Sequence, residues 1–251
     1  MEDPQTSKQT VRANVSAVFA EISAACDRSG RDPASVTLLP VTKYVDVESV
    51  RWIAAAGLHA VGESTIQETL RKRSSLASED DLQWHLIGHL QRNKVARALE
   101  LYTVIHSLDS LRLAESIERR RNTGASLPEL YVEVNISGEE TKSGLRSEDT
   151  LGFIRRLKAD TGLGPSLAGL MTVAPYSRKA EVARPYFRRL RELRDEAVRA
   201  DLLPRDAGLS MGMSNDFVVA VEEGATVLRI GSRLFDGLPG TRKNSQPSEH
   251  S

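Results

Sequence analysis

Val36-Thr-Leu-Leu-Pro-Val-Thr42 is a short apolar run rich in β-branched residues, and Lys43 follows it at once. Beyond it the pattern changes: Val47–Ala56 carries apolar residues at spacings of three and four, the period of a helix with one buried face. A buried strand followed by an amphipathic helix is one βα unit. The alternation continues along the chain, with further runs at His59–Gly62, Trp84–Gly88, Thr103–Ser107, Leu130–Ile136, Leu167–Val173, Gly208–Ser210 and Thr226–Ile230. Helical patterns such as Leu111–Arg120 and Ala180–Ala200 lie between them. Eight such units predict an α/β fold, a single (β/α)8 TIM barrel rather than an open doubly wound sheet. An extra amphipathic helix, about Val11 to Arg28, precedes the first strand. Residues 1–10 and the apolar-free tail 241–251 are expected to be disordered, which leaves 11–240 for the barrel.

Composition narrows the function classes. Lys+Arg and Asp+Glu each total 34, so no bulk charge draws the chain to nucleic acid or to an anionic membrane. Cys26 is the only cysteine, which excludes an intrachain disulfide and a cysteine-based zinc cluster. The first ten residues are polar, and no apolar run approaches the ~20 residues of a membrane-spanning helix. A cytoplasmic protein is expected. His85 and His89 stand four apart, but at a strand end they lie ~13 Å apart along it, so metal ligation is not expected.

In a barrel, chemistry belongs at the C-terminal ends of the strands. The residues there are Lys43, Glu63 with Ser64, His89, Asn135, Thr172, Ser210 with Met211 and Gly212, and Gly231 with Ser232. Lys43 has two readings. It is a strand-end lysine reaching for water or a carboxylate, or burial at the mouth disfavours its ammonium and supplies the neutral amine of Schiff-base chemistry. Leu209-Ser-Met-Gly-Met-Ser214, leading into a helical pattern, and Arg229-Ile-Gly-Ser232 after the last strand also read two ways. Serines at such turns cap helices. Small residues after strands seven and eight also build the phosphate site of many barrels, with hydroxyls from Ser210, Ser214 and Ser232 as added donors.

The motifs Pro40-Val-Thr-Lys43, Val61-Gly-Glu63, Trp84-His-Leu-Ile-Gly-His-Leu-Gln-Arg-Asn-Lys94, Val134-Asn-Ile-Ser-Gly-Glu-Glu-Thr-Lys-Ser-Gly-Leu145, Gly169-Leu-Met-Thr172, Leu209–Ser214 and Gly224-Ala-Thr-Val-Leu-Arg-Ile-Gly-Ser232 resemble, in order, those of the pyridoxal phosphate homeostasis proteins. The barrel of that family is similar to the N-terminal domain of alanine racemase. The resemblance implies that Lys43 carries pyridoxal 5′-phosphate as a Schiff base. It implies that Ser210, the backbone around Met211, Gly231 and Ser232 hold the phosphate, and that Arg229 faces the pyridine nitrogen. Ser64 and Asn135 complete the expected cofactor surroundings. Two positions depart from the family pattern: Ser64 replaces the usual asparagine, with less reach and one donor fewer, and Thr42 replaces the usual serine.

The expected function is a non-catalytic carrier that buffers the cofactor, with apo-enzymes that need it as candidate recipients, and with the chain a monomer or weak dimer. The alternative is a racemase-like enzyme. Racemisation needs a base on each face of the substrate, and racemases of this barrel type draw the second from another domain. The 16 residues from Asp236 to Ser251 are too few for one.

Overall fold

A computed structural model describes residues 4–76 and 81–238. Eight strands form the barrel: β1 (Thr37–Pro40), β2 (Ala60–Glu63), β3 (Gln83–Leu86), β4 (Val104–Leu108), β5 (Glu129–Asn135), β7 (Leu167–Met171), β8 (Gly208–Ser210) and β9 (Val227–Ile230). The two-residue β6 (Leu145–Arg146) pairs only with the end of β5. Every pairing is parallel, in the order β1-β9-β8-β7-β5-β4-β3-β2. The ring closes where Val41 bridges Gly62 and the Thr42 N–H donates to the Gly62 carbonyl at 3.0 Å.

The helices are α1 (Pro4–Ser29), α2 (Val47–Ala55), α3 (Ile66–Ser75), α4 (Val95–Leu101), α5 (Leu111–Arg121), α6 (Ser147–Asp160), α7 (Arg184–Arg199) and α8 (Phe217–Glu222). Their starts follow local chemistry. Asp46, Thr65 and Ser110 each accept a backbone N–H three residues on, satisfying donors that an uncapped helix leaves open. The segment read as one helix over Ala180–Ala200 begins as a 3-10 turn, Ala180–Ala183, and becomes α-helical at Arg184, with Pro185 in its first turn.

Two expectations change. The first helix starts at Pro4, not Val11, so residues 4–10 are helical where disorder was expected. Its stripe Val11, Val15, Val18, Ile22, Ala25 and Cys26 is buried against α8 and α2. That is the place in the outer ring that a helix after β9 would take. Among the described residues no such helix follows Ser232: the chain makes a turn there, the Leu234 N–H donating to Gly231 O at 2.9 Å. The tail expected to be disordered lies outside the described residues. Among the described residues, no helix is long and apolar enough to cross a membrane.

The barrel lumen is filled by Leu39, Val104, Tyr131, Met171 and Val227, with Ala60, Ile87 and Ala168 against them. Alternation along each strand then sends His85, His106, Glu133 and Arg229 into the lumen as well. This layer is polar where the one beneath it is apolar.

Candidate functional site

Lys43 sits in the turn after β1, half-buried, with its ammonium 4.9 Å from the centre of the exposed Tyr44 ring. The residue before it is held tightly. Besides the N–H bond to Gly62, the Thr42 carbonyl accepts from Lys72 Nζ at 2.5 Å, and its hydroxyl donates to Glu63 Oε1 at 2.7 Å.

The loops after β8 and β9 meet beside this turn. Pro40 pairs with Ile230, and the Val41 N–H donates to Ile230 O at 2.8 Å. Gly231 therefore packs on β1, where a Cβ would stand 3.2 Å from the Val41 carbonyl oxygen. Gly212 has φ +91°, and a Cβ there would lie 2.6 Å from that of Ala220. Only glycine fits both that backbone and that contact. Asp216 Oδ1 accepts the Met213 N–H at 2.6 Å, and the Ser214 hydroxyl accepts the Arg233 N–H at 3.5 Å, which ties the two loops together. The N–H groups of Ser214, Gly231 and Ser232 meet no backbone acceptor among the described residues. Such open donors, with hydroxyls beside them, suit an anion.

Arg229 forms the floor between these loops. It is buried, donating to the Ser210 hydroxyl at 2.7 Å and to the Thr172 carbonyl at 2.8 Å. Burial lowers its pKa to about 10 against the opposing pull of Asp216 and Glu133, so the guanidinium stays charged at neutral pH. Glu133 is raised to about 7, first by burial and then by Asp109, with Arg229 and His89 acting the other way. Among the described residues no donor hydrogen-bonds to its carboxylate. It lines a cavity of ≈ 190 Å³ with Val134, Asn135, Lys142, Ser143 and Val173. The two histidines at the third strand go to different partners: His85 Nδ1 lies 3.2 Å from His106 Nε2, and His89 Nδ1 lies 3.3 Å from Asp109 Oδ2.

The structure thus brings Lys43, Ser214, Arg229, Gly231 and Ser232 to one end of the barrel, and it alters three assignments. Asn135 is committed to its own loop. Its amide donates to the carbonyls of Glu139 and Lys142, and its oxygen accepts from Ser137 Oγ and the Gly138 N–H. That uses its whole donor and acceptor capacity, so its side chain shapes the loop over 136–144. Met211 gives its N–H to Val227 O at 3.1 Å and buries its side chain; the open amides come from its neighbours. Ser210 is fully buried, its oxygen engaged by Arg229, which places it with the floor. Ser64 is half-buried at the end of β2, and its hydroxyl engages no described residue. Glu133, His106, Asp216 and Lys72 went unnoticed in the sequence.

The fold and the site define a barrel of the alanine racemase N-terminal class, whose domain family matches residues 15–239. A pyridoxal phosphate homeostasis protein of Aquifex aeolicus is 44% identical over 225 residues, covering 88% of this chain and 95% of its own; one of Pseudomonas aeruginosa is 38% identical over 229 residues, covering 90% and 95%. The chain belongs to the pyridoxal phosphate homeostasis protein family. Among solved structures, PipY of Synechococcus elongatus, described with PLP bound, superposes with a TM-score of 0.75 at 32% identity, covering 90% of this chain and 99% of its own. An alanine racemase of Clostridium difficile has a TM-score of 0.69 at 13% identity, this chain spanning 57% of it, which shows the shared fold.

Proposed function

We propose that this protein binds pyridoxal 5′-phosphate, with Lys43 as its covalent anchor, and serves in the cytoplasm as a carrier that holds the cofactor for other proteins without turning over a substrate. The observation that carries this reading is the convergence of three chemically distinct groups at one end of the barrel: a primary amine, open N–H donors at Ser214, Gly231 and Ser232, and a buried guanidinium. The donor set fits the cofactor. Its aldehyde condenses with a lysine amine, its phosphate calls for N–H and hydroxyl donors, and its ring nitrogen is an acceptor that Arg229 can meet. The PLP-bound PipY structure supports the same reading.

Arg229 also argues for a carrier. A guanidinium that stays charged donates a hydrogen bond to a ring nitrogen but leaves that nitrogen unprotonated, which weakens the electron-withdrawing pull that amino-acid chemistry uses. Holo-protein incubated with L- or D-alanine in D₂O should therefore show α-proton exchange far below ~1 s⁻¹, an ordinary enzymatic rate. NMR of the α-proton reads this directly, and Lys43-dependent exchange at or above that rate would make the protein a catalyst.

The anchoring is tested by borohydride reduction of the loaded protein, peptide mapping and absorbance spectra. The label should fall on Lys43, and Lys43→Ala should lose both label and visible band while keeping weaker binding through the loops. A label on Lys94 or Lys142 in the wild type would refute the assignment.

A further inference from the structure

Behind the first two strands lies an ion pair that the site as described does not use. Lys72 on α3 and Glu63 at the end of β2 are both fully buried, Nζ to Oε1 2.6 Å. Taking two charges out of water costs more than one such contact returns, unless further hydrogen bonds complete the set. Here the set is incomplete: Glu63 Oε2 is buried with no hydrogen-bond partner among the described residues. The pair is poorly built for stability alone.

Its remaining bonds all converge on one residue. Lys72 Nζ donates to the Thr42 carbonyl at 2.5 Å, and the Thr42 hydroxyl donates to the same Glu63 oxygen at 2.7 Å. With its N–H on Gly62 O, Thr42 is fixed through its amide, its carbonyl and its side chain. The carbonyl gripped by Lys72 belongs to the peptide bond that leads into Lys43. The chain leaves the sheet at this point, where a turn residue is otherwise free to swing.

We infer that Lys72 and Glu63 are positioning residues: by clamping Thr42 from the helix side of the barrel wall, they aim the Lys43 amine across the mouth. The inference rests on the proposed role of Lys43, and the test separates the two.

Glu63→Met combined with Lys72→Leu removes both charges without stranding either. Thr42→Val cuts only the hydroxyl link. Each is compared with the wild type for thermal midpoint and for the rate at which added pyridoxal 5′-phosphate becomes borohydride-trappable on Lys43. Each is also compared for the share of label that Lys43 takes when the unloaded protein is lightly methylated with formaldehyde and borohydride. The double variant should hold its midpoint within a few degrees yet attach the cofactor at least tenfold more slowly, with the Lys43 share of methylation changed. Thr42→Val should show the same defect several-fold. Wild-type attachment rates and an unchanged methylation pattern would overturn the inference; if the double variant does not fold, an unaltered Thr42→Val alone does so. Wild-type protein that never takes the cofactor covalently would defeat the proposed function instead, while the methylation pattern still reports whether the pair sets Lys43.

Discussion

Replacing Arg229 by methionine is expected to remove ~3–5 kcal/mol of stability, the usual cost of breaking a buried charge network from one side. The side chain is nearly inaccessible, and its two bonds leave the Ser210 hydroxyl and the Thr172 carbonyl without a donor when it goes. Its charge also opposes the burial of Asp216 and Glu133, so both carboxyls should hold their protons to still higher pH in the variant. Whatever folds should bind pyridoxal 5′-phosphate at least tenfold more weakly, since a charged hydrogen bond is worth ~1.5–3 kcal/mol. Arg229→Lys restores charge but not the two-pronged geometry, and should recover part of the stability and less of the affinity. Urea unfolding and a cofactor titration measure both effects. Wild-type values in Arg229→Met would make the guanidinium a bystander.

Arg229 also shows which parts of the site were legible. Strand alternation with Val227 is enough to turn it inward, and a charged residue inside a barrel demands a reason. The eight strands were readable because each is a short β-rich run at the period of a βα unit, and their positions agree within a few residues. The first turns of α1 were not, because its inner stripe continues from Val11 back to Ser7, which is buried but polar. The commitment of Asn135 to its own loop was not read from the sequence, although Asn-Ile-Ser-Gly138 carries the residues of a side chain folding back on its own turn. Lys72 sits between Arg71 and Arg73 and reads as a solvated face. Yet the buried side of α3 runs Ile66, Thr69, Lys72, Leu76, and that spacing places the ammonium where an apolar residue belongs. The cost of burying it became visible only once Glu63, nine positions earlier, stood opposite.

Acidification from pH 6.5 to about 4.5 is expected to destabilise the protein, through the histidines in the lumen. His106 stacks between His85 and Tyr131, with ring centroids 5.4 and 4.8 Å away, and its Nδ1 has no hydrogen-bond partner among the described residues. Burial lowers His85 from 6.5 to about 4. Burial, His85 and Arg229 push His106 well below its ordinary value. Because both folded values lie under the unfolded one, the unfolded chain binds more protons below pH 6.5. Their contribution is complete above that pH and lost as pH falls toward 4. The His85 gap alone corresponds to at most about 3 kcal/mol. Glu133 works in the opposite sense. Raised to about 7, it keeps its proton in the folded state, so its contribution is full below about 4.5 and is lost as pH rises through 7. Asp216, also raised by burial, acts in the same sense as Glu133, and the two histidines, both buried, are expected to outweigh the two carboxyls on the acid side. Carboxylates held low by arginine, such as Glu181 and Glu222, begin to matter only below this window. Stability measured by urea at half-unit steps should therefore fall from pH 6.5 to 4.5 in the wild type. In His85→Phe/His106→Phe it should instead rise toward acid, because the raised carboxyl of Glu133 then acts unopposed, and Glu133→Gln should steepen the acid fall while flattening the decline toward pH 8. An acid slope unchanged in the double histidine variant would place the loss outside the lumen.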